Sequence, residues 1–120
     1  MRTGDAVPRV APDTVMAEML HEMTRKGLGF TAVCDDAGRI AGIFTDGDLR
    51  RLIETGADLR AMRAGEVMSA EPKAVRADAL AVEAAELMER HRVTGLLVVD
   101  ARGTLVGAIN SNDLMRAKVI

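Results

Sequence analysis

Val10 to Arg51 aligns with Val75 to Arg116 at a constant offset of 65 positions, without a gap, and 12 of the 42 aligned pairs are identical. Unrelated segments of this composition would share about three. The identities include Asp13/Asp78, Met23/Met88, Val33/Val98, Asp35/Asp100, Gly38/Gly103, Gly42/Gly107, Asp48/Asp113 and Arg51/Arg116. A tandem duplication confines the chain to a fold that one short unit can form twice. A unit of about 50 residues buries too little apolar surface to be secure alone, so the copies are expected to pack face to face about a pseudo-two-fold axis. Such packing leaves clefts between the copies where a small ligand would bind.

Each copy reads strand, helix, strand, strand, helix, which makes the chain an α+β protein with repeats at 1–56 and 67–120 and a linker at 57–66. The first helix is expected to start from a capping Asp13 or Asp78. Met16, Met19, Leu20 and Met23 share one face of it, Leu80, Ala84, Leu87 and Met88 do so in the second copy, and Gly27 is its expected stop in the first. Two hairpins follow: Thr31–Cys34 with Arg39–Phe44 around Asp35-Asp36-Ala37-Gly38, and Leu96–Val99 with Leu105–Ile109 around Asp100-Ala101-Arg102-Gly103. The last helices are expected near Asp46 and Ser111.

Several function classes fall away on composition. Sixteen basic and eighteen acidic residues are interspersed, for a net charge of -2, so no stripe offers itself to a nucleic-acid backbone. The only aromatics are Phe30 and Phe44, which leaves no surface for stacking bases. No apolar run approaches membrane-spanning length and no leader pattern is present, so the sequence predicts a soluble, cytoplasmic chain without a membrane partner. The single Cys34 excludes an internal disulfide, and its apolar neighbours mark it as a small buried hydrophobe.

Metal motifs fail on spacing. His21-Glu22 lacks a second His, since residue 25 is Arg, and a calcium loop begun at Asp46 would carry Arg51 and Ala57 where Gly and Glu are required. With two His and no nucleophile elbow, catalysis within these 120 residues is not expected. The eight Met read as core filler.

The richest stretch is Gly42-Ile43-Phe44-Thr45-Asp46-Gly47-Asp48-Leu49-Arg50-Arg51, a strand running directly into a helix. Thr45 and Asp48 have the spacing of a capping box, which by itself accounts for their presence. The same geometry also suits a ligand: a helix N-terminus welcomes phosphate, Gly47 lets it approach the backbone, and an ionised Asp accepts from the hydroxyls of a ribose. In the second copy the Asp persists as Asp113, but Asn110 stands in place of Thr45 and Asn112 in place of Gly47. The two clefts are therefore expected to differ.

These residues and the duplication resemble a tandem pair of CBS domains, the regulatory module also called a Bateman module, and the resemblance covers nearly the whole chain. It implies a ligand site at the Gly-hydrophobic-x-[Ser/Thr]-x-x-Asp junction, where hydroxyl and Asp hold the phosphate and ribose of a nucleotide. By position this marks Thr45 and Asp48 in the first copy and Asp113 in the second, where Asn110 departs from the hydroxyl of the pattern; Asp46 and Gly47, between the two marked residues, complete the candidate set. It also implies Lys73, Thr94 and Gly95 facing Thr45 from the partner repeat. The opening Met1–Val10, the run Ile43–Arg51 and the ending Asp113–Ala117 are more closely similar to the C-terminal CBS pair of bacterial D-arabinose 5-phosphate isomerases. That likeness implies an N-terminal sugar-isomerase domain in a longer parent chain, acting in Kdo and lipopolysaccharide biosynthesis. It further implies an adenine nucleotide or cytidine nucleotide-sugar effector, homodimerisation, and no cofactor. The alternatives are a ligand-free oligomerisation module and a free-standing CBS protein.

Overall fold

The computed structural model describes residues 2–70, 74–76, 86, 89 and 95–110. The chain divides into two compact units, one of residues 8–72 and the other of residues 1–7 with 73–120. Because the second unit takes both ends of the chain, the polypeptide passes from one unit to the other twice.

In the unit of residues 8–72, strand β2 (Arg9–Val10) runs parallel to β3 (Phe30–Cys34), and β3 pairs antiparallel with β4 (Ile40–Thr45). All five residues of β3 are buried, so this strand lacks the alternation of a half-exposed one. Helix α1 (Met16–Lys26) lays Met16, Met19 and Met23 against Val33, Phe44 and Ala64, with Leu49 and Leu52 of helix α2 (Asp46–Glu54) at the margin. Unbranched Met side chains fill this irregular space without a large aromatic contribution. Gly27 closes α1 in the left-handed region at φ 71°, its amide donating to the Met23 carbonyl at 2.9 Å, as its sequence position predicts.

The start of α1 corrects the expectation placed on Asp13. Val15 is the N-cap and no side chain caps the helix; instead the Met16 amide donates to the Met62 carbonyl at 3.1 Å. A first-turn N–H needs an acceptor, and here a distant backbone carbonyl supplies one.

That carbonyl lies in the segment read as the linker, 57–66. That segment, with the residues just after it, forms a 3-10 turn at Leu59–Ala61 and helix α3 (Ala64–Val67), with Leu59, Met62, Val67 and Met68 packed on the same core. It joins the first compact unit because its apolar residues and its N–H groups find partners there.

The other described sheet has the strand order β1 (Arg2–Thr3), β7 (Leu105–Asn110), β6 (Gly95–Val99), β5 (Ala74–Arg76). Its β6–β7 hairpin reproduces β3–β4 residue for residue: Gly95 opposes Asn110 as Phe30 opposes Thr45, and Val98 opposes Gly107 as Val33 opposes Gly42. Both ladders shift register at equivalent places, Val33/Cys34 and Val98/Val99. Each turn is built on an Asp. Asp35 Oδ1 accepts from the amides of Ala37 and Arg39, and Asp100 Oδ1 accepts from those of Arg102 and Thr104, at 2.8 to 3.0 Å. Gly38 and Gly103 occupy the left-handed region at φ 80° and 81°. Leu96, Leu97, Val98, Leu105 and Ala108 are buried. Of the second copy's first helix only Glu86 and Glu89 are described, both helical, and the helix expected near Ser111 lies outside the described residues. Among the described residues no helix is long and apolar enough to cross a membrane.

Candidate functional site

Strand β4 ends at Thr45 and α2 begins at Asp46 with no intervening loop. Thr45 keeps extended backbone angles, φ -119° and ψ 164°, and caps the helix. Its Oγ1 accepts from the Asp48 amide at 3.1 Å while its own amide donates to Asp48 Oδ2 at 3.0 Å, which completes the capping box read from the sequence. Asp48 Oδ1 accepts from Arg51 Nη2 one turn further along. The Asp48 side chain is 15% exposed, and that of Arg51 is 65% exposed.

Two carboxylates, Asp46 and Asp48, thus lie in the first turn of α2, where the helix dipole favours negative charge. The Asp48 carboxylate uses one acceptor direction on each oxygen. A carboxylate offers about four in all, so two remain unused. The guanidinium of Arg51 is the balancing cation, and it sits close to Gly47: a Cβ built on Gly47 would lie 3.5 Å from Nη1 and 3.6 Å from Thr45 Oγ1. These are ordinary contacts, so packing does not demand glycine there. Its effect is to keep a side chain off the first turn.

Gly29 is a residue of this corner that its sequence position alone did not flag. Its φ is 80°, its carbonyl accepts from the Asp46 amide at 3.0 Å, and an added Cβ would meet Asp46 Oδ2 at 3.1 Å. The spacing Gly27-Leu28-Gly29 was the available signal, since a second glycine beyond the helix stop implies a second unusual backbone angle.

Of the residues marked from the sequence, Thr45, Asp46, Gly47 and Asp48 come together at this junction. Gly95 and Asn110 come together as opposed ends of β6 and β7 in the other unit. Lys73, Thr94 and Asp113 lie outside the described residues. Cys34 is buried and free, and burial pushes its thiol pKa up, with nearby Arg9 opposing and Asp35 adding to the rise. A buried thiol held protonated is a poor nucleophile, so Cys34 adds no reactive group to the site.

Comparison with known proteins agrees with this architecture. The CBS domain pattern matches residues 1–55 and again 64–120. The arabinose 5-phosphate isomerase KdsD of Pseudomonas aeruginosa is 48% identical over all 120 residues, which span 37% of that protein's length. Among solved structures, that of CBSX2 in complex with AMP superposes with a TM-score of 0.82 at 26% identity, covering 99% of this chain and 92% of the other. The cytosolic domain of the Mg2+ channel MgtE in complex with ATP gives 0.78 at 28% identity, covering 97% and 46%. Both halves of the duplication match one and the same module, and the chain belongs to the CBS domain family.

Proposed function

We propose that this chain is a regulatory module that binds an adenine nucleotide at the end of β4, with Thr45 and the first turn of α2 meeting phosphate and Asp48 accepting from ribose hydroxyls. The observation that carries the reading is the Thr45–Asp48 junction, at which Asp48 retains unused acceptor directions beside an exposed guanidinium. Solved relatives of the same fold that hold AMP or ATP support the choice of ligand class. A cytidine nucleotide-sugar is the second candidate effector. Lys73, Thr94 and Gly95 are proposed to complete the first site, and Asp113 with Asn110 to mark a second, weaker one.

Similarity to the arabinose 5-phosphate isomerase KdsD supports placing the module beside a sugar-isomerase domain in a longer parent enzyme; that the parent is cytoplasmic and supplies arabinose 5-phosphate for Kdo is part of the same proposal. Catalysis then belongs to that domain, and the 120-residue chain by itself should not turn over ribulose 5-phosphate.

Thermal shift with AMP, ATP, CMP and a CMP-sugar tests the reading. A ligand at about 100 times its Kd adds about 2.7 kcal/mol, enough to raise Tm by several degrees. If none of the four moves Tm, the module does not sense these nucleotides.

One observation favours a second role. Ile53 on α2 is 59% exposed, and no residue of α2 is fully buried. An exposed branched hydrophobe suits an oligomer contact, so the pair is also proposed to hold a homodimer together. Light scattering of wild type and Ile53→Ser reads this directly, and identical masses would remove Ile53 from any interface.

A further inference from the structure

The segment after α2 is bound to the first unit at both of its ends. At one end the Met16 amide donates to the Met62 carbonyl at 3.1 Å, and the amides of Ala64 and Gly65 donate to the Thr14 and Pro12 carbonyls, each at 2.8 Å. At the other end Ser69 exchanges two backbone bonds with Ile43, at 2.8 and 3.0 Å, across the outer edge of β4. Gly42 permits that approach, because a Cβ on it would fall 2.6 Å from the Ser69 carbonyl oxygen and 2.6 Å from Met68 Sδ.

Ile43 lies two residues before the capping Thr45 on the same strand, and Ser69 lies five residues before β5. We propose that residues 58–69 form a strap whose docking on Ile43 responds to occupancy of the Thr45–Asp48 junction and carries that occupancy to the chain entering the second sheet. The proposal rests on the nucleotide-binding reading above. A ligand that adds its bonds to Thr45 Oγ1 and Asp48 stiffens the completed cap, and the cap backbone continues directly into β4. The backbone dock at Ile43 consists of a single residue pair, and a modest bias on so small a contact changes its open fraction.

The test is amide hydrogen exchange on the full 120-residue chain with and without AMP, with AMP binding measured separately by calorimetry. AMP is expected to bind and to slow exchange of the Ser69 and Ile43 amides about fivefold. By reciprocity Ser69→Pro, which removes the donor to Ile43, should weaken AMP binding by a similar factor, and Gly42→Ala should do the same by displacing Ser69. The exchange measurement on wild type needs neither variant to fold. AMP binding with unchanged exchange at residues 62–70 overturns the strap and leaves the site standing. If neither AMP nor ATP binds the wild type, the adenine-nucleotide reading is overturned, and the strap with it.

Discussion

Thr45 and Asp48 hold each other across the first turn of α2, each amide bonded to the other's side chain at 3.0 to 3.1 Å. Any ligand that uses these groups must add to a cap that is already complete. Stability and ligand response can therefore be separated by substitution.

Thr45→Ala removes the acceptor for the Asp48 amide and should lower stability by about 0.5 to 2 kcal/mol, whereas Thr45→Ser should stay close to wild type. Asp48→Asn keeps an acceptor for the Thr45 amide but gives up the charge. It is expected to lose stability within the same range of about 0.5 to 2 kcal/mol and to abolish the AMP-dependent rise in Tm. Urea melts with and without AMP measure both quantities, and an unchanged AMP shift in Asp48→Asn would remove Asp48 from the site.

Gly42→Ala places a methyl group where the Ser69 carbonyl and Met68 now stand. Overpacking against backbone costs about 1 to 3 kcal/mol. Chemical denaturation should show a loss in that range. A neutral outcome would mean that the segment around Ser69 yields freely.

The buried Cys34 thiol, its pKa raised by desolvation, should be protonated and shielded at neutral pH. Labelling by a thiol reagent is expected to be slow in buffer and rapid in denaturant. Fast native labelling would contradict the burial.

Asp100 accepts bonds from the Thr104 and Arg102 amides, and these hold its carboxyl below the usual value of about 3.9. A depressed native pKa adds stability above the unfolded value and loses it as pH falls through the native one. The second hairpin should therefore loosen only under acid conditions below about pH 3.9, and Asp100→Ala should flatten that dependence. Carboxyl NMR titration checks the sign, and a native pKa above 3.9 would refute it.

Much of the fold was legible because its signals are local. The two Asp-x-x-Gly turns, the two hairpins they close, the Gly27 stop and the Thr45–Asp48 cap all follow from residues within a few positions of one another. The candidate site was legible for the same reason, as far as one strand-to-helix junction carries it. Arg51 stands one helical turn beyond Asp48, a spacing that permits their contact, while Gly29 joins the junction through a positive backbone angle that only the pair of glycines at 27 and 29 hinted at.

The amino-acid sequence by itself determined that one unit is formed twice, because an offset of 65 positions repeats every turn, bulge and strand pairing of the hairpins. Only the tertiary structure decided where the edges close. Arg2–Thr3 pairs with Ala108–Gly107, Ser69 closes on Ile43, and the Met62 carbonyl rather than Asp13 serves the start of α1. These are backbone bonds between segments far apart in the chain. Peptide groups are chemically alike, so the sequence reports such pairings only indirectly, as through Gly42, where an added Cβ would meet the Ser69 carbonyl.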